Sequence, residues 1–211
     1  MKILAQAAAA FACLALVACG PSTEARGEES APAPTPRSAA TAEAVFAGGC
    51  FWSMEKAMEH APGVAEAISG YTGGHVRNPS YQDVITETTG HYESVRVLYD
   101  PSRTSYRELA DYFLHHIDPT DDRGQICDRG PSYRTAIFVS NAAERQAAEA
   151  AIAEAETELA REVVTQILPR QQFYDAEAYH QDFAARNPQR YERYRQGCGR
   201  DRRLAQVWGG R

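Results

Sequence analysis

The chain has 211 residues, 44% of them hydrophobic and 24% charged, and 22 Lys and Arg against 28 Asp and Glu leave a formal net charge of −6. This composition excludes full disorder and suits one cored domain with an appendage. The acidic balance argues against nucleic acid as a partner, because phosphate binding wants a basic face, and five cysteines are too few for a disulfide scaffold.

The N-terminus reads as an export signal. Lys2 precedes an apolar run over residues 3–18 that only Gln6 interrupts. The run is too short and alanine-rich for a stable spanning helix, and it fits the apolar region of a signal peptide covering 1–18. It ends Leu16-Val17-Ala18-Cys19-Gly20, with a small residue before the cut and a cysteine after it, which resembles a bacterial lipobox. Ordinary cleavage beside an incidental cysteine is the alternative, but Leu16 breaks the small-residue pattern of a plain site. The expectation is lipidation at Cys19, export, and a membrane anchor facing the periplasm. Gly20 in place of Asp favours outer- over inner-membrane sorting. Residues 20–44 contain no Ile, Leu, Val, Met, Phe, Tyr or Trp and carry Pro21, Pro32, Pro34 and Pro36. Such a segment cannot bury enough surface to offset its ordering entropy, so 19–44 is expected to be a disordered tether, with the domain at 45–211.

Val45-Phe46-Ala47 is a short strand-like run ended by Gly48-Gly49. A helix is expected from Cys50 to about His60, stopped by Pro62-Gly63, then a strand over 64–71 and a short helix after Asn78-Pro79-Ser80. Residues 91–100 alternate, with Glu93, Val95, Val97 and Tyr99 on one face, which is strand periodicity. Ser105 and Glu108 have the form of a capping box opening a helix that carries Leu109, Tyr112, Phe113 and Ile117 on one side. A polar loop (118–132), a strand (135–139), a long helix capped by Asn141 and Glu144, a strand (163–168) and a short helix (176–183) follow. The basic tail from Arg190 is expected to be mobile. Interleaved strands and helices predict an α/β or α+β sandwich with helices packed on a sheet; the fold class expected is α+β, a two-layer α/β sandwich with helices packed on a mixed sheet.

Gly48-Gly49-Cys50-Phe51-Trp52 is the most informative stretch. The glycines allow a tight turn, and Cys50 then sits at a helix start, where unpaired N–H groups and the helix dipole favour a thiolate. A buried, inert cysteine beside two core aromatics is equally compatible with that spacing alone. The motif Gly-Cys-Phe-Trp with Glu55 resembles the active site of the peptide methionine sulfoxide reductase A family. The likeness continues in order through Gly70-Tyr71-Thr72-Gly73-Gly74, Asn78-Pro79-Ser80-Tyr81, Thr89-Gly90-His91-Tyr92-Glu93, His116-Ile117-Asp118-Pro119-Thr120, Asp128, Tyr133-Arg134 and Tyr179-His180-Gln181, and covers about residues 45–190.

That resemblance implies a ferredoxin-like core and reduction of methionine (S)-sulfoxide, free or within peptides and proteins, without cofactor or metal. It casts Cys50 as the nucleophile that becomes a sulfenic acid, Glu93 as the acid toward the sulfoxide oxygen, and Tyr81 and Tyr133 as hydrogen-bond donors to that oxygen. Phe51 and Trp52 correspond to the pocket for the substrate methyl group, and Asp128 to a residue ordering the site. Cys198, between two glycines, matches the resolving position, with Cys127 as a possible additional redox thiol. No further tail cysteine follows Cys198, which puts a relay through a second tail thiol in doubt. A thioredoxin-like protein is the implied reductant, and repair of oxidised envelope proteins the implied role.

Four other readings arise at this level. His91-Tyr92-Glu93 has the His-x-Glu of zinc deaminases but no Pro-Cys-x-x-Cys follows. His115, His116 and Asp118, with Asp121 and Asp122, fit no standard metal spacing. A thiol hydrolase with His180 activating Cys50, or a non-enzymatic binding lipoprotein, would need no resolving thiol.

Overall fold

The computed structural model describes residues 41–209. The expected signal segment, Cys19 and all but the last residues of the expected tether lie outside the described residues. The tether boundary at 44 is too late: strand β1 spans Ala42–Gly48 and pairs along its length. The remaining elements are α1 (Phe51–Glu59), β2 (Val64–Thr72), α2 (Tyr81–Val84), β3 (Tyr92–Tyr99), α3 (Tyr106–His115), β4 (Gly124–Gln125), β5 (Asp128–Arg129), a 3₁₀ turn (Pro131–Tyr133), β6 (Thr135–Val139), α4 (Ala142–Leu159), β7 (Gln166–Pro169), β8 (Tyr174–Asp175), α5 (Phe183–Arg186), α6 (Pro188–Cys198) and α7 (Arg200–Trp208).

One six-stranded sheet runs in the order β7-β6-β1-β3-β2-β8, antiparallel except between β6 and β7. The inner strands β6-β1-β3-β2, connected as βαββαβ, form the ferredoxin-like core, and the sheet is mixed as expected. Its central strand β1 is apolar on both faces because both are covered. On one side Phe46, Val95, Val97 and Ile137 meet Met54 and Met58 of α1, Leu109 and Phe113 of α3, and Ala148, Ala151 and Ala155 of α4. On the other, Val45, Ala47, Tyr92, Ala136, Phe138 and Phe173 form a smaller cluster. Each large apolar side chain so buried stabilises the fold by about 1.5–3 kcal/mol.

The helix starts follow local chemistry. Ser105 Oγ accepts from Glu108 N–H while the Glu108 carboxylate accepts from Ser105 N–H, the reciprocal cap expected there. Ser80 and Asp83 do the same for α2, and Asn141 Oδ1 accepts from Glu144 N–H for α4.

Three further expectations fail. The polar loop after α3 contains the β4–β5 hairpin and the 3₁₀ turn. The short helix expected over 176–183 is a run of turns, and helix begins only at Phe183, because Gln181 turns its amide to the backbone of Ser69 and Ala176 and locks the turn to β2. The tail expected to be mobile is two helices. Trp208 is buried, its indole N–H donates to the Ile117 carbonyl, Arg200 donates to the His116 carbonyl, and Arg203 pairs with Asp118. Those long-range partners lie more than eighty residues away, so no local periodicity signals them.

Candidate active site

β1 ends in Gly48-Gly49, and the chain turns sharply into α1 with Cys50 as its N-cap residue. Gly49 has φ of +78°, and a Cβ there would sit 2.4 Å from the Gln125 Cβ, so only glycine fits the turn. Next to β1 in the sheet, β3 projects Glu93 on the same face as Val95 and Val97, toward the helix start. The alternation seen in the sequence therefore carries a carboxyl into the interior. Glu93 is 2% exposed, and its Oε2 accepts the Phe51 N–H at 3.0 Å.

The structure assembles most of the expected residues around Cys50. Tyr133, at the end of the 3₁₀ turn, lies beside Glu93, and Tyr81, opening α2, lies beside Tyr133. Asp128, on β5, accepts a hydrogen bond from the Tyr194 hydroxyl at 2.6 Å. Phe51 is fully buried against Tyr71 and His180. Trp52 is half-buried, stacks on Phe183 with ring centroids 3.7 Å apart, and donates its indole N–H to His180 Nδ1 at 3.0 Å.

Electrostatics departs from one expectation. The helix start was expected to lower the Cys50 pKa, but the thiol is pushed well up. Burial is the main cause, and the Glu93 and Asp128 carboxylates add to it; the Tyr194 hydroxyl and the Trp52 N–H pull the other way without prevailing. The first free N–H of α1, that of Phe51, is spent on Glu93 rather than on the sulfur. Glu93 itself is pushed up to about 8, by burial first and by the Asp128 and Glu87 carboxylates, against the stabilising Phe51 N–H and Tyr133 hydroxyl. Asp128 is raised by burial as well. The site therefore holds two protons at neutral pH, one on sulfur and one on the acid beside it.

Cys198 does not lie on Cys50. It is bonded to Cys127, with Cα atoms 5.2 Å apart across a sequence separation of 71, while Cys50 is a free, buried cysteine. Tyr194 is the site residue that sequence reasoning missed. It contacts Cys50, bonds Asp128 and meets the Trp52 ring edge-on. Tyr194 and Cys198 are one turn apart on α6, and Asp128 directly follows Cys127, so two adjacent links, Asp128–Tyr194 and Cys127–Cys198, fasten α6 to the hairpin. The spacing Tyr191, Tyr194, Cys198 was the available signal, and it has meaning only once that segment is a helix.

The competing readings lose their geometry. His180 accepts from Trp52 and is held in its neutral form by burial, with no bond to Cys50 among those of the described residues, so the hydrolase pair is not assembled. His115 turns to Glu158, His116 to the Tyr112 carbonyl and Asp118 to Arg203, so these groups do not converge on a metal. His91 bonds the Gly74 N–H and the Val76 carbonyl.

The family model described as peptide methionine sulfoxide reductase matches residues 42–211. The chain is 56% identical over 181 residues to peptide methionine sulfoxide reductase MsrA 2 of Caulobacter vibrioides, covering 85% of this chain and 92% of that one. It is 47% identical over 168 residues to MsrA of Bacillus subtilis, covering 79% and 95%. Among solved structures it resembles Mxr1 of Saccharomyces cerevisiae in reduced form (TM-score 0.66, 30% identity, 71% of this chain and 87% of that one). It also resembles methionine sulfoxide reductase A of Corynebacterium diphtheriae (TM-score 0.63, 31% identity, 70% and 76%). A family model that matches nearly all of the described residues, together with relatives of this identity and coverage, settles the family: the chain belongs to the peptide methionine sulfoxide reductase family.

Proposed function

We propose that this protein reduces methionine (S)-sulfoxide, free or within proteins, to methionine by thiol chemistry at Cys50. The observation that carries the reading is a free, buried Cys50 beside a Glu93 that is still protonated at neutral pH. Sulfoxide sulfur is a poor electrophile until its oxygen is hydrogen-bonded or protonated. Glu93 delivers a proton to that oxygen, with the Tyr81 and Tyr133 hydroxyls donating to it. Cys50 attacks the sulfur, and its thiol proton returns to the Glu93 carboxylate. The oxygen ends on Cys50 as a sulfenic acid, methionine leaves, and two electrons have passed from the thiol to the sulfoxide. The high thiol pKa is then no obstacle, since the proton is released only as the acid gives up its own. Phe51 and Trp52 hold the substrate methyl group, and Asp128 orders Tyr194 beside the sulfur.

Regeneration follows from the remaining cysteines. The Cys198 thiolate displaces the sulfenic oxygen as water to give a Cys50–Cys198 bond. Cys127 then attacks Cys198, which frees Cys50 as a thiol and leaves Cys127–Cys198. The free Cys50 and the bonded pair support this order. The second thiol of the relay is thus upstream, on the hairpin, rather than further along the tail. A thioredoxin-like dithiol protein reduces the pair.

The test is dithiothreitol-driven reduction of each sulfoxide epimer. Turnover of the S epimer alone, abolished by Cys50→Ser, is expected; equal turnover by the variant would refute the assignment.

We further propose export, lipidation at Cys19, a tethered reductase domain facing the periplasm and repair of oxidised envelope proteins. The apolar run ending at Ala18 and the Pro-containing stretch after it support this. Cells fed a labelled fatty acid are expected to label the protein, and label that persists in Cys19→Ala would remove the idea.

A further inference from the structure

The regenerating partner must meet the Cys127–Cys198 disulfide, and the surface around that bond has a character of its own. Cys127 occupies the tip of the β4–β5 hairpin, whose strands pair Gln125 with Asp128. Cys198 closes α6. Beside them lies an open depression of about 390 Å³ whose lining includes Arg123, Arg129, Arg161, Arg202 and Arg203. Two of these arginines are neutralised, Arg129 by Asp121 and Arg203 by Asp118. Arg123, Arg161 and Arg202 are exposed and make no ion pair among the described residues, and the acid left to balance them on this lining is Asp122. In a chain of net charge −6 this is a local reversal of sign, placed around the bond that must be reduced from outside.

The two sulfurs are also unequal. Cys127 is exposed and Cys198 is half-buried, so an incoming thiolate reaches Cys127. Cys198 immediately precedes Gly199, the N-cap residue of the nine-residue helix α7. The Arg202 guanidinium lies against Gly199, where a Cβ would come within 2.7 Å of it. The positive end of α7 and this guanidinium favour a thiolate on Cys198 as it leaves.

Resting on the reading that Cys127–Cys198 is the product of turnover, we propose that this arginine-rimmed face is the docking surface for the reductant. The partner is a dithiol protein whose reactive cysteine is surrounded by acidic side chains. Its thiolate attacks Cys127 Sγ, the bond to Cys198 breaks, and Cys198 leaves as the thiolate. The partner's second thiol then attacks the mixed disulfide and releases Cys127. Two electrons pass to the reductase, the partner becomes a disulfide, and the partner's two thiol protons end on Cys127 and Cys198. Charge complementarity of this kind acts on the encounter more than on the chemistry.

The experiment uses the full chain with a thioredoxin bearing acidic residues around its dithiol, the same thioredoxin with those residues neutralised, and dithiothreitol. Raising salt from about 50 to about 300 mM is expected to raise the KM for the acidic donor several-fold. Arg123→Glu with Arg161→Glu is expected to raise that KM about tenfold and to abolish its rise with salt. Neutralising the donor reproduces the effect on wild type, and dithiothreitol-driven turnover stays within about twofold. An acidic donor lacking its second cysteine is expected to be trapped on Cys127. A KM indifferent to salt and to charge reversal, or trapping on Cys198, overturns the proposal. So does charge reversal that weakens binding to vesicles of anionic lipid while leaving the donor KM alone, which would make the face a membrane contact. The salt series and the trapping need no arginine variant, so they decide even if charge reversal disturbs folding. Loss of dithiothreitol-driven turnover in the wild type would instead strike the reductase reading itself.

Discussion

Glu93 keeps its proton because a carboxylate on an apolar strand face has almost no water to lose it to, and the Asp128 and Glu87 carboxylates make a further negative charge more costly. Two consequences follow. Single-turnover formation of methionine by the reduced enzyme is expected to decline as pH rises through about 8, and Glu93→Gln is expected to lower that rate at least about 100-fold at every pH. Stability responds in a defined direction. The folded chain binds a proton at Glu93 that the unfolded chain has already released, so its contribution is full below the model-peptide value of 4.5 and is lost as pH rises to about 8. Glu93→Gln removes that part of the decline, while Glu55, pushed up to about 7 by burial, keeps its own narrower one. Thermal unfolding of both proteins across pH checks this, and parallel curves would contradict it. Tyr194 offers a second test at this scale. Its hydroxyl lowers the Cys50 pKa, so Tyr194→Phe is expected to slow alkylation of Cys50 in the reduced protein by about tenfold, a hydrogen bond to a charged group being at stake. An unchanged alkylation rate would show that the hydroxyl serves Asp128 alone.

At the scale of elements, how much could be read from the chain depended on whether the cause was local. The strand carrying Glu93 is legible because Val95, Val97 and Tyr99 share its alternation, and α3 is legible because Ser105 and Glu108 cap a helix with a clear apolar face. The tail is not. Its helices are rich in Arg and Gln, and α6 has one fully buried side chain, Tyr191. What orders them is contact with remote backbone at His116 and Ile117, with Asp118, and with the hairpin. The lowered Cys50 pKa expected from the helix start fails for a related reason, since a helix start names the donors but not the side chain that takes them. Trp208 holds α7 through its indole N–H and by packing on His115. Trp208→Ala is therefore expected to cost about 3 kcal/mol in urea unfolding of the disulfide-reduced protein. A loss below about 0.5 kcal/mol, the range of surface substitutions, would mean that α7 contributes nothing to the folded state.

At the scale of the molecule, the ferredoxin-like core and the C-terminal helices divide the labour. The core fixes Cys50 and Glu93 at adjacent strand ends. The helices bring Tyr194 to the Cys50 sulfur and Cys198 to the hairpin, one turn apart, so Cys50 and the Cys127–Cys198 bond lie at opposite ends of one short contact. In the proposed cycle, oxidising equivalents enter at a buried site suited to a small side chain and leave at an exposed one suited to a protein. The most direct measurement is a single turnover without external reductant. Fully reduced protein is mixed with one equivalent of methionine (S)-sulfoxide, methionine is quantified, and the cysteines are mapped by mass spectrometry. One equivalent of methionine, a Cys127–Cys198 bond and a free Cys50 thiol are expected. Methionine formed while Cys127 and Cys198 stay reduced, or no methionine from a protein whose Cys50 is a free thiol, would contradict the account.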